Sequence, residues 1–330
     1  MGASSLRGKE LTQLIEDTGF HAAEVVLLDT SLPPGTLTKA AGEPTFIKPM
    51  EPDSFAGARF VFFAGSSAEA KSNWRLATQA GAETIDLTGA LEAAGAAPWI
   101  PDLDTLLAPP EPTSQRPHEP GIYSSPAPAV MIACRLAAAL AKFSAARLAI
   151  LFFPPASEHE QSGVDELEKQ TADLLLLRPI SQPVFDAQVA FNLLAGYGDA
   201  SRPTIPEMRA EIARRVNAYL SGRILSPAVQ LIQAPIFYGY AFAAYADFPA
   251  PPDLSQIDAA LVAAGMHLVE KDEAKPTNIS VAGEAKIHVA RSERDPNVNS
   301  GVWLWGAADN LRIAAANALR IAEELLVLKA

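Results

Sequence analysis

The segment Ala58–Gly81, ARFVFFAGSSAEAKSNWRLATQAG, decides how the first half of the chain is read. Its first eight residues are a short apolar run ending in a turn former, as a strand buried on both faces of a parallel sheet reads. The following AEAKSNWRLATQAG has helical spacing and closes on Gly81, which adopts a left-handed C-terminal conformation without a Cβ clash. Working outward, the alternation recurs. RGKELTQLIEDTG (7–19) reads as a helix, EVVLLD (Glu24–Asp29) as another buried strand and TIDLTG (84–89) as a further one. Such alternation predicts an α/β fold with a doubly wound parallel sheet.

After the proline-rich connector LLAPPEPTSQRPHEPG (106–121), which suits neither helix nor central strand, the pattern changes. RLAILFF (147–153), AVQLIQAPIFYGYAFAAYADF (228–248), KIHVAR (286–291) and VWLWGA (302–307) are longer β-rich runs. They are interrupted by helical segments at 165–177 and 206–220, so a mixed or antiparallel sheet with helices is expected. The C-terminal ADNLRIAAANALRIAEELLVLK places Leu311, Ala315, Ala318, Ala322 and Leu325 on one helical face. The expected division is residues 1–127, completed by a C-terminal helix at 308–330, and residues 128–307.

A net charge of −12, with no basic cluster, excludes a nucleic-acid backbone or an anionic membrane as partner. The single cysteine, Cys134, permits no disulfide within one chain, and its apolar neighbourhood is too short to cross a bilayer. MGASSLRGKELTQ lacks the apolar core of a signal peptide, so a cytoplasmic protein is expected. The five histidines form no HxxxH or HExxH pattern, and no metal site is expected.

Several stretches carry candidate chemistry. In SEHEQS (157–162), Glu158, His159 and Glu160 are consecutive and splay apart on any regular element, which suits a solvated loop entering a helix. Cys134 sits mid-helix, away from the positive helix end that favours a thiolate, and reads as a buried structural residue. Glu166, Glu168 and Lys169 read as a solvated helix face. In GASSLRG (2–8), Gly2 and Gly8 have the outer spacing of a dinucleotide-binding loop, with Ser4 or Ser5 at the middle position. Asp29 stands about twenty residues on, where an acid accepts a ribose hydroxyl. Candidate cofactor contacts are therefore Gly2, Ser5, Gly8, Asp29, Gly65 and Ser66.

Four stretches together resemble the aspartate-semialdehyde dehydrogenases and related acyl-phosphate reductases. They are GVDELEKQT (163–171), QVAFNL (188–193), APIFYGY (234–240) and, most closely, GVWLWGAADNLRIAAANALRIAEELL (301–326). The resemblance spans nearly the whole chain. It implies a Rossmann-like dinucleotide-binding domain plus an α+β catalytic-like dimerisation domain, and hence a homodimer. It also implies an apolar central strand before the glycine loop. The sequence begins at that loop, so either the strand lies upstream of Met1 or the sheet closes differently.

The same resemblance implies lost chemistry. The family's nucleophilic cysteine opens a helix in an N-P-N-C-S-T motif; the matching stretch here is SPAPAV, with Pro128 at the cysteine position. Proline suits the first helical turn but has no nucleophilic atom. The orienting glutamine matches Pro154, the substrate-carboxylate arginine Gln233 and the base histidine Tyr240. An amide cannot form arginine's bidentate pair with a carboxylate, and a tyrosine near its usual pKa is a poor base at neutral pH. In the phosphate site the family's arginine matches Glu92, while its lysine matches Arg209; Pro206 and Glu207 stand where an acid is expected. The arginine that grips the NADP 2′-phosphate matches Leu32, so Asp29 favours NAD over NADP if a dinucleotide binds.

The expectation is a pseudoenzyme, acting as a dimeric scaffold, a partner of an active paralogue or a ligand-binding protein. The alternative is an active NAD(P)-dependent semialdehyde dehydrogenase, or altered chemistry in the same cleft using Ser124, Ser125, Ser157, His159 or Tyr240.

Overall fold

The computed structural model describes all residues except 21, 23, 31–35, 41–42, 108–120, 223 and 329–330. The expected contributions of Leu32, His21 and His118 lie outside the described residues. The chain divides into two units, Met1–Ala127 with Leu311–Ala330, and Pro128–Asn310.

The first unit opens with α1 (Leu6–Thr18), capped by Ser5 and ended by left-handed Gly19. A short hairpin, β1 (Leu37–Ala40) with β2 (Glu43–Phe46), precedes β3 (Phe60–Phe63), α2 (Ser67–Gln79) and β4 (Glu83–Asp86). Then follow β5 (Ala97–Pro98), α3 (Pro101–Leu107) and β6 (Ile122–Ser124). The sheet is parallel throughout, in the order β3-β4-β6-β5. Alternation along β3 works as the sequence pattern requires. Val61 and Phe63 pack with Ala70 and Ala77 of α2, while Phe60 and Phe62 lie against clusters on the opposite face.

EVVLLD does not form the expected strand. Residues 24–27 join no ladder, and Leu28 makes only an isolated parallel bridge to Lys48. A strand needs a continuous row of partners. Here Gly2 and Ala3 both donate to the one Leu28 carbonyl, at 2.8 and 3.2 Å, and Lys48 donates to Leu27 at 2.9 Å. The Met1 carbonyl accepts from Ala64 at 3.0 Å, so the loop start lies between Leu28 and the end of β3.

The second unit begins with α4 (Pro128–Ala141), whose first helical residue is Pro128 and which buries Cys134 completely. It continues with β7 (Arg147–Phe153), α5 (Glu160–Leu175), α6 (Ile205–Leu220), β8 (Ala228–Leu231) and β9 (Tyr240–Asp247). Next come α7 (Leu254–Ala263), β10 (His267–Leu268), β11 (His288–Val289), β12 (Glu293–Arg294) and β13 (Gly301–Ala308). Seven strands form a mixed sheet in the order β10-β11-β13-β9-β7-β8, with β12 also on β13. β7 runs parallel to β8, and β10 to β11; the other pairs are antiparallel.

The long apolar run at 228–248 is two strands. It breaks where Pro235 lacks a donor and Gly239 turns at φ +81. KIHVAR contributes only two strand residues, because the chain leaves the sheet toward α7. There Ser292 bonds the Asp258 carboxylate through its N–H at 2.9 Å and its hydroxyl at 2.7 Å.

The chain then returns to the first unit with α8 (Asn310–Leu328). Ala318, Ile321, Ala322 and Leu325 pack on Ile85, Leu87, Trp99 and Tyr123, while Ala315 and Leu319 meet Leu11 and Leu14 of α1. The fully buried alanines let α8 approach the sheet closely; enlarging Ala318 to leucine would overpack it at a cost of about 1–3 kcal/mol.

Candidate functional site

β7 stops at Pro154-Pro155, which cannot donate to a ladder, and the chain makes a tight turn over Ala156–His159 before α5. Ala156 and Ser157 donate their N–H groups to the Ile236 and Phe237 carbonyls, at 2.8 and 3.0 Å. This turn lies beside Pro154, Gln233 and Tyr240, three positions of the second unit to which the sequence resemblance points.

Each of these positions is bonded inward. Gln233 is 0% exposed; its Nε2 donates to the Pro154 and Ala234 carbonyls at 3.0 and 2.8 Å. Its Oε1 accepts the Tyr197 hydroxyl at 2.6 Å, and that hydroxyl lies 3.2 Å from His159 Nε2. Tyr240, 1% exposed, bonds the Glu158 carboxylate. Asn310 ties in the rest: Oδ1 accepts the Gly239 N–H at 3.0 Å, and Nδ2 donates to Ser157 Oγ at 3.1 Å and Glu158 Oε1 at 3.0 Å.

The electrostatics follow from burial. His159, packed edge-on against Phe185 and Tyr197 with centroids 4.8 and 5.3 Å away, has its pKa lowered to about 4 by desolvation. Its imidazole is neutral at physiological pH. Burial, reinforced by Glu158, pushes both Tyr197 and Tyr240 above the ordinary phenol range, so both keep their protons. Tyr240 is thus further from serving as a base than an exposed tyrosine would be. Pro128 is buried and offers no nucleophile. This web exchanges hydrogen bonds among its own members, and the one carboxylate in it, Glu158, repels rather than anchors a substrate carboxylate.

SEHEQS is therefore not a solvated loop. Its consecutive residues do splay, but Ser157 is buried and Glu158 and His159 are half-buried, one facing Asn310 and Tyr240, the other Tyr197. Nor is Glu166 part of a solvated face. It is 4% exposed, receives N–H bonds from Val184 and Phe185, and burial raises its pKa. Beside it, fully buried Gln170 accepts from Val189 at 2.8 Å and donates to Ala187 at 3.0 Å, so α5 holds the 181–190 loop through two polar side chains. Lys169 stays outside and pairs with Asp173 at 2.7 Å.

Tyr197 and Asn310 were not singled out from sequence. Asn310 stands within the matched C-terminal stretch, whereas nothing in LAGYGD marks Tyr197. Ser124 and Ser125 lie in the first unit, where Ser125 Oγ donates to the Ala314 carbonyl and accepts from Asn317, both at 3.0 Å. Among the described residues no hydrogen bond joins Ser124 to Ser125 within the first unit, or any two of Ser157, His159 and Tyr240 within the second.

In the first unit the glycine loop packs tightly. A Cβ on Gly2 would meet Gly65 Cα at 2.2 Å, and one on Gly8 would meet the Gly2 carbonyl oxygen at 2.1 Å. Only glycine allows these backbone approaches. Ser5 caps α1 by accepting the Gly8 N–H, and Ser66 caps α2 in a reciprocal box with Glu69. Asp29, 3% exposed, accepts the Ser4 N–H at 2.7 Å and is held against the loop. Glu69 reaches across to the Thr30 hydroxyl. The loop thus keeps the close glycine contacts of a dinucleotide-binding turn, with the Asp29 carboxylate packed against it.

Glu92 is exposed at the start of a short turn in the first unit, and Arg209 is exposed on α6 of the second, bonding Gln230 at 2.9 Å. Glu207 closes the α6 capping box with Thr204. Among the described residues no three metal-ligating side chains form a ready site, and no helix is long and apolar enough to cross a membrane.

Comparison with known proteins accords with this architecture. Residues 1–108 match the profile described as semialdehyde dehydrogenase, NAD binding domain, and residues 157–313 that of the semialdehyde dehydrogenase dimerisation domain. A USG-1 protein homolog of Pseudomonas aeruginosa is 30% identical over 330 residues, covering 99% of this chain and 96% of its own. A USG-1 protein homolog of Azotobacter vinelandii is 28% identical over 329 residues, with coverage of 99% and 96%. A solved structure of a probable aspartate-semialdehyde dehydrogenase from Pseudomonas aeruginosa superposes with a TM-score of 0.84 at 28% identity, covering 98% of this chain and 96% of that one. With both domain profiles matched and full-length relatives in hand, the chain belongs to the semialdehyde dehydrogenase family.

Proposed function

We propose that this chain is a non-catalytic member of its family, a homodimeric scaffold that has exchanged the reactive groups of its second unit for a structural hydrogen-bond web. The observation that carries this reading is the pair Gln233 and Tyr240, 0% and 1% exposed and bonded inward to Pro154, Tyr197 and Glu158. With Pro128 at the matched nucleophile position and Tyr240 buried and protonated at the matched base position, those two positions supply neither a nucleophile nor a base. Losing nucleophile and base together costs several orders of magnitude in rate. The match to the dimerisation domain supports the homodimer.

The retained glycine loop supports binding of a dinucleotide without turnover, with Asp29 positioned to accept a ribose hydroxyl of NAD and to repel a 2′-phosphate. When bound, NAD supplies a hydride acceptor; Gly2, Ser5, Gly8, Gly65 and Ser66 form the loop that would hold it. The test is NAD(P)H formation by purified protein given phosphate, aspartate semialdehyde and either dinucleotide. A rate equal to the protein-free blank is expected, and a rate well above it overturns the proposal. Thermal shift with NAD and NADP tests retention: NAD alone raises the melting temperature.

A further inference from the structure

His267 and His288 stand far apart in the sequence, yet they are register partners on the parallel pair β10–β11. Paired residues on adjacent strands project from the same face, and the two imidazoles lie with centroids 4.5 Å apart at an interplanar angle of 46°. Glu284, in the turn leading into β11, brings Oε2 to 3.8 Å from His288 Nε2. His267 is exposed and His288 half-buried at this edge of the sheet, so water and ions reach both rings. Desolvation and then His267 hold the His288 imidazole below its usual pKa, with Lys286 adding slightly and Glu284 opposing.

We propose that His267, His288 and Glu284 form a surface site for a divalent transition-metal ion of the zinc, nickel or copper class. Imidazole nitrogen and carboxylate oxygen suit such ions, and donors about 2.0–2.2 Å from a tetrahedral metal stand about 3.3 Å from one another. In the structure Glu284 Oε2 stands 3.8 Å from His288 Nε2 and the two ring centroids are 4.5 Å apart, so the three side chains are neighbours. Among the described residues no three His, Cys, Asp or Glu side chains are placed to hold a metal ion as they stand. Ion binding would therefore need the paired imidazoles to rotate and Glu284 to swing in beside them, with water completing the shell. The nearby Lys286 keeps affinity modest. Binding would clamp β10 to β11, which share only two register pairs. No HxxxH spacing marks this pair, because parallel strand pairing rather than sequence spacing brings the rings together.

Isothermal titration of untagged protein with zinc chloride and with nickel chloride at pH 7.5 decides the matter. The expected result is one ion per chain with a dissociation constant on the order of micromolar. His267→Ala and His288→Ala each weaken it at least tenfold, Glu284→Gln weakens it a few-fold, and lowering the pH to 5.5 weakens it at least tenfold as protons compete. His267 is exposed, so its variant decides the outcome if His288→Ala misfolds. Absence of saturable binding, or unchanged binding in His267→Ala, overturns the site.

Discussion

Replacing Gln233 with alanine separates a structural position from a vacant ligand anchor. The substitution removes the two bonds from Nε2 to the Pro154 and Ala234 carbonyls, at 3.0 and 2.8 Å, and the 2.6 Å acceptor of the Tyr197 hydroxyl. Because the residue is fully buried, no water is at hand to replace it. The Tyr197 hydroxyl and the Pro154 carbonyl are left short of partners, each costing about 1–3 kcal/mol, and the lost amide leaves a small cavity. Partial relaxation toward His159 returns some of this, so the expected loss is about 3–5 kcal/mol. Urea unfolding followed by tryptophan fluorescence and circular dichroism measures it as a lower midpoint at unchanged slope. Gln161→Ala, which removes an exposed bond to Asp165, serves as the control and should change stability by less than about 0.5 kcal/mol. A Gln233→Ala loss below about 1 kcal/mol would refute the reasoning, since the side chain would then not be holding the web together.

Three further outcomes follow from the same geometry. His159 has a folded pKa of about 4 against an ordinary 6.5, so the unfolded chain binds the extra proton first as pH falls. Its contribution is present above pH 6.5 and is lost progressively down to about pH 4, at most about 3 kcal/mol; urea midpoints at pH 7 and pH 4.5 should show this decline shrinking in His159→Gln. Glu166→Ala leaves the Val184 and Phe185 amides without their carboxylate, costing about 2–4 kcal/mol, and hydrogen exchange at those two amides should accelerate. Gly8→Ala drives a Cβ to 2.1 Å from the Gly2 carbonyl oxygen and should destabilise the first unit by about 1–3 kcal/mol or more, read as a lower melting temperature; an unchanged one would deny the tight loop.

Periodicity revealed what repeats along the chain. Phe60 to Phe63, α2 and the apolar stripe of α8 are legible because a buried parallel strand and an amphipathic helix each impose a pattern on consecutive residues. EVVLLD has the right composition but lacks the partners, and β propensity without a ladder makes no strand. Glu166 and Gln170 look like a solvated face because helical spacing cannot say whether a loop covers it; the 181–190 loop does. The web around Gln233 depends on contacts between positions far apart in the chain, such as Gly239 with Asn310 and Pro154 with Gln233, which spacing does not encode. The resemblance directs attention to Pro128, Pro154, Gln233 and Tyr240. What it could not supply was that Tyr197, His159 and Asn310 would satisfy the polar groups among them.

The absence of a working nucleophile is tested most directly by intact-mass spectrometry of the purified protein. The protein is incubated with aspartate semialdehyde and NAD without phosphate, so that any acyl adduct accumulates. The predicted spectrum is that of the unmodified chain at all incubation times. A mass increase matching an acyl adduct, mapped by digestion to any residue of Pro128–Asn310, would contradict the proposal that this unit has given up its chemistry.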